Sequence, residues 1–151
     1  MVDGHGQVGR GILLDGADFK VARQLTFDIP NILQEPLREM GWNDDVEEFL
    51  KKLMRSVARD LDSDQEILLT RTDADTKTAL NLNSELSGRG EYGSSAVITR
   101  FIPDSVADMW PGLLRAVWRE LGPLEARYRT GYYEQEIEKA LNSVDLGCNP
   151  E

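Results

Sequence analysis

The feature that most constrains the fold is a stripe of apolar side chains at helical spacing within residues 44–61. Acidic residues crowd the start of this segment, directly after a possible cap at Asn43, and basic residues lie later. Both placements stabilise a helix through its dipole. The pattern therefore predicts an amphipathic helix over residues 44–61, and its apolar stripe is Val46, Phe49, Leu50, Leu53, Met54, Val57 and Leu61.

Two segments before this helix predict strands. Residues 11–14 form a short apolar run, and residues 19–27 alternate between apolar and polar side chains. The pair Asp15-Gly16 lies between them and is typical of a tight hairpin turn. A helix over residues 18–25 is the alternative, because the apolar residues of that segment also share a helical face.

Three more strands are predicted after the helix, over residues 66–72, 76–86 and 96–102. Each alternates or is rich in β-forming residues, and short turns separate the first two. Consecutive strands with short connections usually pair with one another. We therefore expect an antiparallel meander in this part of the chain.

Helical spacing marks three further segments. Residues 30–40 follow a proline-containing start signal, residues 104–121 carry an apolar face, and residues 124–144 form a final helix. Pro111-Gly112 predicts a division of the second segment, and Gly122-Pro123 predicts its end.

These elements in order, ββααβββαα, indicate an α+β fold. We predict an antiparallel sheet of four or five strands, with one face covered by the helices. No linker-like segment divides the 151 residues, so residues 1–151 are predicted to form a single domain. Residues 1–10 and 145–151 are predicted to be flexible ends.

Charge is distributed unevenly along the chain. There are 27 acidic and 17 basic residues, which give a net charge of −10. Residues 28–66 hold 11 acids and 5 bases, and residues 130–151 hold 5 acids and 1 base, whereas the remaining segments are balanced. A strongly acidic protein repels a phosphate backbone, so we expect no nucleic-acid partner.

Histidine and cysteine chemistry has little support in this sequence. His5 and Cys148 are the only residues of their types, and they lie at opposite ends of the chain. They cannot form a usual zinc site, and they make a nucleophilic Cys–His pair improbable. We therefore expect no catalytic residue, cofactor or metal, and an enzyme is the less favoured interpretation.

The cysteine count and the lack of long apolar runs also indicate where in the cell the protein is located. A single cysteine cannot form an intramolecular disulfide, which fits a reducing compartment. No apolar run is long enough for a signal peptide or a membrane span. The expectation is a soluble cytoplasmic protein without a membrane partner.

The most informative cluster is aromatic and basic: it has seven aromatic residues between Tyr92 and Tyr133, with four arginines interleaved between residues 115 and 129. Trp, Tyr and Arg are enriched at the energetic centres of protein interfaces. Trp110 lies on the apolar stripe and is predicted to be core, whereas Trp118 lies one step off it. Tyr132 and Tyr133 cannot both face inward on one helix. The candidate interface residues are Trp118, Arg115, Arg119, Tyr132 and Tyr133.

These observations favour a non-enzymatic protein–protein interaction module. Small acidic inhibitors, immunity proteins and secretion chaperones resemble it in charge and size and bind through electrostatic steering. Its partner would be another protein, which could be basic, or a second copy in a homodimer. The alternative is a small-molecule binding protein or enzyme with a pocket between sheet and helices, lined by Arg100, Trp118, Tyr128 and Tyr132.

A glycine-rich segment follows residue 86. The simplest interpretation is a flexible hairpin loop. A weak anion-binding loop is the functional alternative, with Gly88, Arg89, Gly90 and Gly93 as its residues.

Overall fold

The computed structural model describes residues 11–32, 39, 41–61, 65–86 and 97–148. Within them the chain forms three strands and five helices. In chain order these are β1 (Ile12–Asp15), α1 (Gly16–Ile32), α2 (Asp44–Asp60), β2 (Glu66–Thr72), α3 (Thr76–Leu86), β3 (Val97–Pro103), α4 (Asp104–Thr130) and α5 (Glu134–Cys148).

The three strands form one mixed sheet in the order β1-β2-β3. β1 pairs with β2 in antiparallel register, and β2 pairs with β3 in parallel register. The α+β class is thus confirmed, but the predicted antiparallel sheet of four or five strands in the order ββααβββαα is wrong. One face of the sheet is buried, and its residues are Ile12, Leu14, Ile67, Leu69, Ile98, Arg100 and Ile102.

The predicted strand over residues 19–27 is part of helix α1, as the alternative interpretation held. The Asp15 carboxylate accepts a hydrogen bond of 2.8 Å from the Asp18 backbone N–H, so Asp15 caps a helix and does not turn a hairpin. Helical spacing then buries one face of the segment, including Phe19, Ala22 and Leu25. The backbone N–H of Asp18 also lowers the pKa of the Asp15 carboxyl.

The predicted strand over residues 76–86 is helix α3. Asp75 caps it by accepting a 2.8 Å hydrogen bond from the Thr78 backbone N–H. Ala79 and Asn83, one turn apart, are its buried residues. Because this crossover between β2 and β3 is helical, the two strands can run parallel, which a short turn would not allow.

Asn83 attaches α3 to the sheet. Its side-chain N–H donates to the Phe101 carbonyl at 3.0 Å, and the Phe101 N–H donates to its side-chain oxygen at 2.7 Å. This side-chain amide provides both hydrogen bonds that a neighbouring strand residue would provide. One stretch of the β3 edge is therefore occupied from within the chain.

The core lies between the sheet and the helices. Trp110 of α4 is fully buried, which confirms the prediction, and its indole N–H donates to the Thr26 hydroxyl of α1 at 3.0 Å. That hydroxyl donates in turn to the Ala22 carbonyl at 2.6 Å. The polar edge of the largest buried side chain is thus satisfied within the core, as burial requires.

Several predicted boundaries are confirmed and others are wrong. Helix α2 begins after Asn43, whose side chain accepts a hydrogen bond from the Val46 N–H at 2.9 Å. Helix α4 continues through Pro111, which is buried, and its break lies at Gly122, with φ 74° and ψ 167°. A positive φ of this kind favours glycine.

Other predictions are not decided by this fold. The single domain over residues 1–151 remains a prediction. Residues 1–10, 33–38 and 149–151 lie outside the described part of the chain, whereas α5 continues through Cys148. Among the described helices, none is long and apolar enough to cross a membrane.

Candidate functional site

Two of the predicted interface residues lie in the seam where α4 contacts α5. The Trp118 indole N–H donates to the Glu138 carboxylate at 2.7 Å. Arg115 donates to Asp145 through Nε at 2.7 Å and to Asn142 through Nη2 at 2.9 Å. The polar groups of Trp118 and Arg115 are therefore bound within the chain, and their role in an interface stays a prediction.

The other three predicted interface residues differ from one another in exposure. Arg119 is exposed, and Tyr132 is half-buried against the core. Tyr133 has an exposed fraction of 57%, and the Arg127 guanidinium lies 4.0 Å from the centre of its ring. A cation over an aromatic face is an attractive arrangement that holds both side chains at the surface.

The last turns of α4 present two large apolar side chains to solvent. We call residues 123–130, which follow the break at Gly122, the helical arm. Leu124 and Tyr128 lie one turn apart on it, with exposed fractions of 86% and 88%. Ala126 between them is buried, so the arm contacts the molecule through its opposite side. Sequence reasoning did not identify Leu124, although its spacing from Tyr128 would place both on one helical face.

A groove of about 410 Å³ separates α2 from α3. On the α2 side its lining includes three basic residues, Lys52, Arg55 and Arg59. None of the described residues that line it is acidic, although the chain as a whole carries a net charge of −10. We call this feature the cationic groove; the rest of its lining is Leu53, Ser56, Leu80, Asn81, Asn83 and Ser84.

Arg100 of β3 lies beneath α2, next to the groove, with an exposed fraction of only 3%. Its Nε donates to the Ser56 hydroxyl at 3.1 Å, and its Nη2 lies 2.5 Å from the Asp60 carboxylate. A third hydrogen bond of 2.9 Å runs to the Thr99 carbonyl. Burial lowers the pKa of the Arg100 guanidinium, and the Asp60 carboxylate acts in the opposite direction.

The four residues predicted to line a pocket lie in different parts of the molecule. Arg100 is under α2, Trp118 is in the seam between α4 and α5, and Tyr128 is on the exposed arm. Tyr132 contacts the core. The structure thus places only Arg100 beside the cationic groove, and the pocket role of the other three stays a prediction.

Two buried carboxylates on α1 have contrasting surroundings. Asp18 accepts hydrogen bonds from Lys139 and Ser143 of α5, each at 2.9 Å, and the bond to Asp18 raises the pKa of the Lys139 ammonium. Asp28 has one carboxylate oxygen that is buried without a hydrogen-bond partner among the described residues. Burial raises the pKa of Asp28, and the positive charge of Arg129 opposes that shift.

Two remaining sequence predictions concern anions and metals. Gly88, Arg89, Gly90 and Gly93 lie outside the described residues, so the proposed anion loop stays a prediction. In the part of the chain that the structure describes, no three His, Cys, Asp or Glu side chains gather in a group that could hold a metal ion.

No family model, no curated protein and no solved structure matches this chain.

Proposed function

We propose that this protein is a non-enzymatic interaction module that associates with a second copy of itself through the helical arm. The observation that carries the proposal is the exposure of Leu124 and Tyr128, at 86% and 88%. A single exposed leucine is ordinary on a protein surface. Two large side chains one helical turn apart form a continuous apolar strip, which favours contact with another protein.

The residues around the strip also support an interface. Tyr and Arg are the types enriched where binding energy is concentrated. Arg127, also on the arm, stacks on the exposed Tyr133, so both side chains are partly ordered before any contact forms. Ordering before binding lowers the entropy lost on association.

Charge on the arm supports a second copy as the partner. Glu125 and Arg129 each follow one residue of the apolar strip, so they lie one turn apart beside it, and they pair with each other at 3.0 Å. In a dimer whose two-fold axis is perpendicular to the arm, the two arms run antiparallel, so Glu125 of each copy would approach Arg129 of the other. The surface is therefore complementary to itself in both charge and apolarity.

The same argument limits the expected affinity. Each copy carries a net charge of −10, and an arm of two turns buries less area than a standard interface. We propose a weak, concentration-dependent dimer with a dissociation constant on the order of 10–100 μM. The acidic first turn of α2 remains accessible in such a dimer and would steer a basic protein partner.

The proposal also includes a cytoplasmic location. Its support is the single cysteine in this sequence, which is compatible with a reducing compartment. Fractionation of the native host, with detection by an antibody against the protein, tests this part. Recovery in a membrane or extracellular fraction would contradict it.

Sedimentation velocity over a hundredfold range of concentration tests the dimer. The wild-type protein should shift from monomer to dimer, and the double variant Leu124→Ala/Tyr128→Ala should associate at least about tenfold more weakly. Leu13→Ala is the matched control, because Leu13 is another leucine with a large exposed fraction, 51%, and lies on β1, away from the arm.

Two results would overturn the proposal. The first is a wild-type protein that stays monomeric at every concentration. The second is a dimer that the arm variant leaves unchanged or that Leu13→Ala weakens equally. Circular dichroism of each variant establishes that the fold is retained, and little change is expected because the substituted side chains are exposed.

A further inference from the structure

We propose that the cationic groove between α2 and α3 binds a small molecule that carries phosphate groups. The proposal is independent of self-association, because the groove involves α2 and α3 whereas the arm belongs to α4. It assigns a ligand class to a surface that the sequence analysis did not identify.

The first support is the local reversal of charge. Lys52, Arg55 and Arg59 lie at helical spacing on one face of α2, and all three line the groove. Residues 28–66 have an excess of six acids, yet among the residues that the structure describes no acidic side chain lines this cavity. A concave surface with walls of one charge sign concentrates ions of the opposite sign.

The second support is that Asp60, the acid next to Arg59 in the chain, pairs mainly with a different arginine. Asp60 contacts the buried Arg100 at 2.5 Å and approaches the Arg59 guanidinium only at 4.0 Å. Its negative charge is therefore matched mainly by a cation beneath the groove. Arg59 is left as a guanidinium at the groove wall that can form hydrogen bonds with a ligand.

Arg55, like Arg59, can form hydrogen bonds with a ligand in the groove. Its guanidinium lies 5.9 Å from the centre of the Phe27 ring, and among the described residues no ion pair involves it. Lys52 pairs with Glu48 at 2.8 Å on the exposed surface of α2, which leaves Arg55 and Arg59 as the principal anion ligands. Arginine offers paired N–H donors whose geometry matches two oxygens of one phosphate.

The opposite wall can contact the uncharged part of a ligand. Asn81 and Ser84 of α3 are exposed polar side chains in the lining, whereas Leu53 and Leu80 give it apolar area. Asn83 is not available, because its amide binds the Phe101 backbone. Cationic, polar and apolar groups thus meet in one cavity of about 410 Å³, a size typical of small-molecule sites.

The overall charge distinguishes a small ligand from a nucleic acid. A long phosphate backbone would extend beyond the groove and approach the acidic residues of this chain, which carries a net charge of −10. A small phosphate-bearing molecule contacts only the groove. The small molecule is therefore the favoured ligand.

Isothermal titration with inorganic pyrophosphate, at an ionic strength held constant with sodium chloride, tests the proposal. The wild-type protein should bind the probe saturably with one site per chain. Arg55→Gln and Arg59→Gln should each weaken binding by about tenfold or more, because each removes a hydrogen bond to a charged group. The matched control is Arg119→Gln, which changes the net charge equally at an exposed position on α4.

Amide chemical shifts in the same titration locate the probe, and the amides of Asn81 and Ser84 should move. The proposal is overturned if pyrophosphate does not bind saturably, if it perturbs a different surface, or if Arg119→Gln weakens it as much as Arg55→Gln does. A third arm uses single-stranded oligo-dT. Tighter binding of oligo-dT than of pyrophosphate, lost in Arg55→Gln, would replace the small ligand with a nucleic acid.

Discussion

The seam between α4 and α5 and the cationic groove both contain arginines, but the two regions differ in what these arginines bind. In the seam, Arg115 binds Asp145 and Asn142, and neighbouring Trp118 binds Glu138. In the groove, Arg55 and Arg59 line a wall on which no described residue is acidic. The seam uses interface-type residues to join two helices, whereas we propose that the groove presents Arg55 and Arg59 to a ligand. Residue type alone does not show whether an arginine joins two helices or faces a ligand. What decides is whether packing places an acid or an amide of the same chain beside its guanidinium.

The largest effect is expected from the cation beneath the groove. Arg100→Met removes a buried guanidinium and leaves the Asp60 carboxylate without its main counter-charge. The free energy of unfolding, measured by urea denaturation, should fall by about 3 kcal/mol. Adding Asp60→Asn to the same variant should recover part of the loss, because the uncompensated charge is then gone. An unchanged stability of Arg100→Met would show that the pair does not support the groove.

A smaller effect, of opposite sign, is expected at Asp28, one of whose carboxylate oxygens is buried without a hydrogen-bond partner among the described residues. Burial raises the pKa of Asp28 above its ordinary value of 3.8, so ionisation costs more in the folded state than in the unfolded state. Its contribution to stability is present below 3.8 and is lost as pH rises through the folded pKa. Asp28→Asn should therefore raise stability by about 1 kcal/mol at neutral pH. Near pH 3 it should have little effect.

Thermal unfolding of the wild-type protein and of Asp28→Asn, from about pH 3 to neutral pH, measures this difference in stability. A gain that is the same at acidic and neutral pH would contradict the assignment, because it would not come from ionisation. Arg129→Gln provides a second check. It removes the charge that opposes the shift, and so it should enlarge the gain from Asp28→Asn at neutral pH.

The smallest effect is expected in the seam. Trp118→Phe removes the indole N–H that binds Glu138, and it should lower the free energy of unfolding by about 1 kcal/mol. Glu138→Gln keeps an acceptor for that N–H, so it should lower the free energy of unfolding less than Trp118→Phe does. Self-association and pyrophosphate binding should not change in either variant. A Trp118→Phe variant with unchanged stability but weaker self-association would restore Trp118 to the interface.

The sequence predicted some elements well because their signals are local. Helix α2 has seventeen residues, a cap at Asn43 and a long apolar stripe, so no other structure fits that pattern. The strands β2 and β3 were predicted within about one residue of their bounds. Residues 19–27 and 76–86 were predicted wrongly because short segments fit both periods. In addition, aspartate marks a turn and a helix cap equally well.

The candidate sites could be predicted only in part. Trp118 and Arg115 were identified by residue type, but their partners lie 20 and 30 residues later, on a helix whose placement the sequence does not reveal. The basic residues of α2 were visible in the sequence. The groove was not, because its second wall was predicted to be a strand. The exposed pair on the helical arm depends on the break at Gly122, which was predicted, and on which side faces the core, which was not.

The sequence by itself determined the α+β class, the buried stripe of α2, the core position of Trp110 and the uneven charge, because each depends on residues close together in the chain. Tertiary structure decided that β2 and β3 run parallel, that Arg100 pairs with Asp60, and that Trp118 is bound within the chain. The reason is physical. Whether a polar or aromatic side chain is available for binding depends on the groups that packing brings to it, and those groups come from distant parts of the sequence.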